Sequence, residues 1–270
     1  MTQYETIISE ELDHVCIITL NRAKVHNAFN PQMISELTSE FAKQNNNSTI
    51  RAIILTGDGK SFSAGADLVY MEASKDFTLE ENQQDAVKLE KLFHTIYNFS
   101  KPVVGRINGA AFGGGVGLVA LCDIAVAIER AVFAFPEVNL GIMPAVISPY
   151  VIPKIGYSHA TRYFLTGERM DALTAMRIGL IHEVAVDQNE LNQKVIAIIS
   201  HLLTSGPLAM SQIKEILDKN KTESFESVRP YLIEKIAQIR TSPEGKEGLK
   251  AFLEKRAPKW KKDEWEGLET

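Results

Sequence analysis

Six glycines fall between residues 105 and 117: Gly105, Gly109, Gly113, Gly114, Gly115 and Gly117. They follow a compact apolar stretch, Pro102–Ile107, that reads as a strand. They lead into the apolar run that ends at Cys122-Asp123 and reads as a helix. Strand, glycine cluster and helix in that order place backbone N–H groups at a helix N-terminus with no Cβ in front of them, which is a site for an anion or a developing oxyanion. A dinucleotide-binding loop is the rival reading. It is disfavoured because the strand is far from the chain start, the spacing is not GxGxxG as normally placed, and no acidic residue ends a following strand about 20 residues on. The run from Ala110 to Cys122 is too short and too rich in glycine to span a membrane.

Two other segments carry the same kind of chemistry. Lys60-Ser61-Phe62-Ser63-Ala64-Gly65-Ala66-Asp67-Leu68 follows a predicted strand (51–56) and the turn Gly57-Asp58-Gly59. Its small residues allow a ligand to lie against the backbone, although a tight turn before a helix needs nothing more. Phe135-Pro136-Glu137-Val138-Asn139-Leu140-Gly141 sets one glutamate in apolar surroundings. Such a carboxyl has a raised pKa and can shuttle protons, while a solvated loop glutamate is the plain alternative. Taken together, two backbone donors and a carboxylate are what chemistry through a thioester enolate requires. The six histidines show no ligand pairing, and no CxxC or HxxxH spacing exists, so no metal is expected. Cys16 and Cys122 lie in apolar runs and read as buried thiols.

The periodicities predict an α/β chain. Strands are expected at 6–9, 15–20, 51–56, 102–107 and 124–127. A helix opens at Asn30-Pro31, with Asn as N-cap and Pro at the first position. Another follows the capping box Thr78–Glu81. The second half is mostly helical, at 158–165, 171–178, 190–203, 211–219, 225–240 and 243–255. With 29 basic against 34 acidic residues and a net charge of -5, neither nucleic acid nor a membrane surface is an expected partner. The chain starts without a basic, apolar leader, so a cytoplasmic location is expected.

In order along the chain, Asn21–Ala28, Phe62–Leu68, Asn108–Asp123, Pro136-Glu137 through Pro144, Leu165-Thr166-Gly167 and Phe252–Arg256 resemble the crotonase (enoyl-CoA hydratase/isomerase) family over essentially the whole length. The resemblance implies an α/β spiral of repeated ββα units over 1–200. It also implies a helical trimerisation region over 201–270, assembly as a homotrimer or dimer of trimers, and an acyl-CoA substrate with no separate cofactor. Carried over by position, the N–H groups of Ala66 and Gly114 would form the oxyanion hole and Glu137 would move the proton. Ala64, Ala66 and Leu68 would line the adenine site of a bent CoA, and Arg22 and Lys24 would approach its phosphates. Phe252 and Lys255 would supply C-terminal CoA contacts, often from a neighbouring subunit. The basic tail from Lys255 to Trp265 reads as a solvated end or as local attraction for CoA phosphates.

One departure matters. Hydratases of this family typically carry a second glutamate shortly after the glycine cluster, and here that position is Gly117, as in one-glutamate Δ3,Δ2-enoyl-CoA isomerases. Against this, Gly117–Asp123, Ala145–Tyr150 and Ser242–Gly248 are similar to bacterial methylglutaconyl-CoA hydratases and carboxygeranoyl-CoA hydratases. The leading expectation is therefore hydration of a branched or carboxylated enoyl-CoA such as 3-methylglutaconyl-CoA in leucine or related catabolism. Isomerisation is the alternative, and a non-catalytic acyl-CoA-binding paralogue is a further one.

Overall fold

A computed structural model describes residues 4–262 and 264–268. A hairpin opens the chain, β1 (Ile7–Leu12) pairing antiparallel with β2 (Val15–Leu20). Helix α1 (Pro31–Asn46) follows, with the Asn30 side chain accepting the Met33 N–H at 2.9 Å, the N-cap that Asn-Pro predicts. From there one motif recurs. A strand joins the large sheet, a short strand joins a second sheet, and a helix covers the pair. The first turn of the spiral is β3 (Ala52–Gly57), β4 (Ser61–Ser63), α2 (Leu68–Ser74) and α3 (Leu79–Tyr97). The second is β5 (Val103–Ile107), β6 (Ala110–Phe112) and α4 (Gly114–Leu121). The third is β7 (Ile124–Ile128), β8 (Val132–Ala134), a 3₁₀ turn (Pro136–Leu140) and α5 (Ser148–Thr166).

The large sheet runs β1-β2-β3-β5-β7 and ends on β10 (Glu183–Ala185), which is reached through β9 (Met170–Asp171) and α6 (Ala172–Arg177). The small sheet runs β4-β6-β8-β9. Every neighbouring pair from β2 to β10 in the large sheet is parallel. Helices cover both faces of such a sheet, so its strands are continuous apolar runs. Val15 to Ile18 and Ala52 to Leu55 are all buried. The spiral of ββα units implied by the resemblance is therefore the observed architecture.

Helix α7 (Gln188–Thr204) packs on β5, β7 and β10, so residue 200, the expected end of the core, falls inside it. Helices α8 (Pro207–Thr222), α9 (Phe225–Thr241) and α10 (Pro243–Leu253) pack in sequence on one another. Lys214 on α8 anchors them to the core through Asp123 at 2.7 Å. The tail then returns to the body. Trp265 is buried, its backbone N–H donating to Ser200 Oγ at 3.0 Å and its indole N–H to the Leu12 carbonyl at 3.2 Å. That part of the basic end is packed, not solvated.

Helices α5, α7 and α8 run longer than their periodicity predicts, whereas α6 and α10 stop short of the predicted 178 and 255. The predicted 158–165 segment is the second half of α5, which is broken at Gly156 (φ 75°, ψ 159°). The chief omission from the sequence reading is the small sheet. Its strands are two or three residues long, too short to show alternation. No single helix among the described residues is long and apolar enough to cross a membrane.

Candidate active site

Strands β4, β6 and β8 lie side by side and parallel. Their carboxyl ends release three loops at the same level, the position where parallel α/β sheets gather ligands. Ala66 comes three residues after β4, Gly114 two after β6 and Glu137 three after β8. The spacing of the three sequence motifs is thus the period of the spiral, and the fold brings together all three residues expected to do the chemistry.

Phe29 shapes the first loop. Its N–H donates to the Gly65 carbonyl at 2.6 Å and its carbonyl accepts the Asp67 N–H at 2.9 Å. This isolated parallel bridge engages the residues on either side of Ala66 and turns the Ala66 N–H the other way. Among the described residues that N–H has no partner, and Ala66 is exposed. The second donor, Gly114 N–H, is in the first turn of α4, where no carbonyl within the helix can accept it. The two loops touch: a Cβ on Gly65 would stand 3.5 Å from Gly114 N. Gly113 precedes the helix at φ 50°, ψ −119°, a conformation that disfavours any side chain.

Glu137 closes the site from the third loop. The place a Cβ would take on Gly113 is 3.0 Å from Glu137 Oε1. Its Oε2 is buried and has no hydrogen-bond partner, which is costly unless a ligand or water supplies one. Burial raises the Glu137 pKa, only partly opposed by a hydrogen bond from its own backbone N–H. A carboxyl held this way is a proton carrier in waiting, beside two free N–H donors.

The other predicted positions divide. Ala64 is half-buried beside the donor loop, its N–H bonded to the His26 carbonyl at 2.9 Å. Leu68, at the start of α2, is 80 % exposed at the rim. The Arg22 guanidinium pairs with Asp67 at 2.7 Å and donates to the Ala28 carbonyl. Asp67 in turn caps α2 by accepting the Val69 and Tyr70 N–H groups. What Arg22 visibly does is pin the loop that carries Ala66. Lys24 is exposed on a 3₁₀ turn (Ala23–Val25) and has no ion pair among the described residues. Phe252 (80 % exposed) and Lys255 lie at the end of α10, which packs chiefly on α9, so within one protomer they are not brought to the loop cluster. Both cysteines are buried and free, with thiol pKa values pushed up to about 12, mainly by burial. No group of three or more metal-ligating side chains occurs among the described residues.

The empty place at Gly117 is now explained sterically. A Cβ there would lie 2.5 Å from Ile147 Cγ2 and 2.7 Å from Phe93 Cε1. Two apolar side chains fill the volume a second carboxylate would need. Nothing in the sequence marks Phe29 or Phe93 as part of a site, and Asp67 and Ile147 lie in the 60–68 and 145–150 segments without a role of their own. Phe93 sits in a helical apolar period that signals core and nothing else.

Comparison with known proteins decides the family. The family model described as enoyl-CoA hydratase/isomerase matches residues 10–263. The chain belongs to the enoyl-CoA hydratase/isomerase family. A putative enoyl-CoA hydratase of Thermus thermophilus is 32% identical over 254 residues, 94% of this chain and 100% of that protein. A crotonyl-CoA hydratase of Syntrophomonas wolfei is 32% identical over 255 residues, covering 94% of this chain and 96% of the relative. The crystal structure of an enoyl-CoA hydratase from Shewanella pealeana superposes with a TM-score of 0.92 at 39% identity, covering 96% of this chain and 97% of that one. Hydration of an enoyl-CoA is the family activity these likenesses support. The crotonase-fold expectation therefore holds in both sequence and architecture.

Proposed function

We propose that this family member hydrates a branched or carboxylated α,β-unsaturated acyl-CoA, 3-methylglutaconyl-CoA or a close analogue, with Glu137 as the sole proton carrier. The observation that carries this reading is the unpartnered, desolvated Glu137 carboxylate beside two free backbone donors. Water adds to the β-carbon as Glu137 takes its proton. The π electrons move onto the thioester oxygen, held by the N–H groups of Ala66 and Gly114. The enolate then collapses, and the same carboxyl returns the proton to the α-carbon, so the net change is one water added. One carboxylate suffices when both transfers occur on one face of the double bond. The reaction uses no cofactor beyond the CoA that the substrate carries. Arg22, Lys24, Ala64 and Leu68 would meet that CoA, with Phe252 and Lys255 reaching it from a neighbouring subunit of a trimer or hexamer. The finer choice of acyl group rests on the likeness of segments 117–123, 145–150 and 242–248 to methylglutaconyl-CoA hydratases.

A second reading is favoured by one observation, the absence of room for a carboxylate at Gly117. With a 3-enoyl-CoA, Glu137 would remove an α-proton and redeliver it at the γ-carbon, which is isomerisation. The test is to incubate the enzyme with 2-enoyl- and 3-enoyl-CoAs, 3-methylglutaconyl-CoA among them, and follow mass. Hydration adds one water. Interconversion of the two enoyl-CoAs without a mass change selects the isomerase reading.

The raised pKa of Glu137 sets the pH dependence. The reactive form is the carboxylate, and burial disfavours it. kcat/KM should therefore fall about tenfold per pH unit below the Glu137 pKa. This acid limb should lie at higher pH than an ordinary glutamate gives. A pH–rate profile whose acid limb sits in the ordinary carboxylate range would contradict this placement.

A further inference from the structure

One helical turn past Glu137 along α4, the interior is closed by two apolar side chains. Residues four apart on a helix share a face. Gly113 is the N-cap of α4, and Gly117 lies four residues further along it. Over Gly113 stands the Glu137 carboxylate, with Oε1 3.0 Å from the Cβ position. One helical turn on, about 5.4 Å, the space over Gly117 is taken by Ile147 Cγ2 and Phe93 Cε1, 2.5 and 2.7 Å from the Cβ position. Neither side chain has freedom to leave: Phe93 is 0 % exposed and Ile147 3 %. Behind Phe93 the Tyr150 ring stacks at 6.0 Å with an interplanar angle of 21°, and Tyr97 packs on Tyr150 at 5.3 Å.

On the far side of these tyrosines the molecule is open again. A cavity of about 580 Å³ at the C-terminal end of α4 is lined by Tyr97, Tyr150, Ala120 and Leu121, with Lys154 and Lys214 among its polar groups. The aromatic layer thus separates the reaction centre from a large space that a longer acyl chain would otherwise enter.

We propose that Phe93, backed by Tyr150, is the end wall of the acyl pocket and restricts the enzyme to short acyl groups. This rests on the hydratase reading of the site and adds the substrate length. The same ring that denies position 117 a carboxylate sets the depth available beyond the β-carbon. Misfit of one methylene in a hydrophobic pocket is worth about 10–200-fold in kcat/KM, so a fixed ring at this depth imposes a steep cut-off.

The test compares wild type, Phe93→Leu and Phe93→Ala on crotonyl-, hexenoyl-, octenoyl- and decenoyl-CoA. Wild-type kcat/KM should fall steeply beyond hexenoyl. Phe93→Ala should raise the octenoyl-to-crotonyl ratio by about tenfold or more, with Phe93→Leu, the variant less disturbing to the core, intermediate. Calorimetric binding of saturated butyryl- and octanoyl-CoA reads the wall without turnover, and the affinity ratio should shift the same way. A wild type that takes decenoyl-CoA as well as crotonyl-CoA would overturn the proposal. So would kinetic and binding ratios that both variants leave unchanged. A wild type that hydrates neither these four nor 3-methylglutaconyl-CoA would sink the hydratase reading instead, and the binding ratio would still decide the wall.

Discussion

Glu137→Gln lowers hydratase turnover by about 10⁴-fold or more, the upper end of what general acid–base catalysis supplies, while saturated acyl-CoA binds within a few-fold of wild type. Glutamine keeps the shape and one carbonyl oxygen but cannot take a proton from water. No neighbouring acid can substitute. Asp67, the acidic residue adjoining Ala66, is committed to Arg22 and to the α2 N-terminus, and those hydrogen bonds, with the guanidinium, outweigh its burial and hold it below its ordinary range. Position 117 is closed by Phe93 and Ile147. Binding should survive because the proposed CoA contacts lie on other elements and the side chain's volume is conserved. Single-turnover mass analysis together with calorimetry measures both halves. Hydration within tenfold of wild type in this variant would remove Glu137 from the proposed mechanism.

Residues with strong local chemistry were legible in the sequence. Asn30-Pro31 and Thr78–Glu81 are local signals, and both became caps in the structure. The three motifs were legible because a loop that must expose N–H groups is built from small residues, and that composition survives without coordinates. What stayed hidden depends on elements far apart in the chain. Glu36 and Glu40 occupy buried positions of α1, where helical periodicity expects apolar residues. They are tolerated because Thr6 and Gln32 serve the first, and Tyr4, Ser9, Gln44 and Lys43 the second. The short strands of the small sheet acquire meaning only when stacked beside one another. The absent glutamate at Gly117 was visible as an absence. That its space is filled by one residue of α3 and another just before α5 was not, because that is a statement about packing.

Gly114→Ala should lower kcat by about 10²–10³-fold, equivalent to about 2.7–4 kcal/mol for one oxyanion donor, through a clash instead of through loss of the N–H itself. The added methyl would stand 2.7 Å from Phe29 Cε2. Phe29 is 4 % exposed, so its ring has nowhere open to turn, and its backbone holds Gly65 and Asp67 on either side of Ala66. Displacing that ring therefore moves both donors, one directly and the other through the bridge. Gly114 is not at positive φ, so alanine imposes no backbone strain, and the cost arises from overpacking alone. That gives a specific rescue. Phe29→Leu removes the ring edge that clashes. In the Gly114→Ala background it should restore kcat by about tenfold or more, yet by itself it should cost less than tenfold. The cycle of four enzymes yields a coupling energy between two residues 85 positions apart in the chain, of the size expected for side chains in contact, about 0.5–3 kcal/mol. Additive losses, or a Gly114→Ala enzyme within fivefold of wild type, would mean that the oxyanion hole is not held by Phe29 and that the two donor loops are set independently.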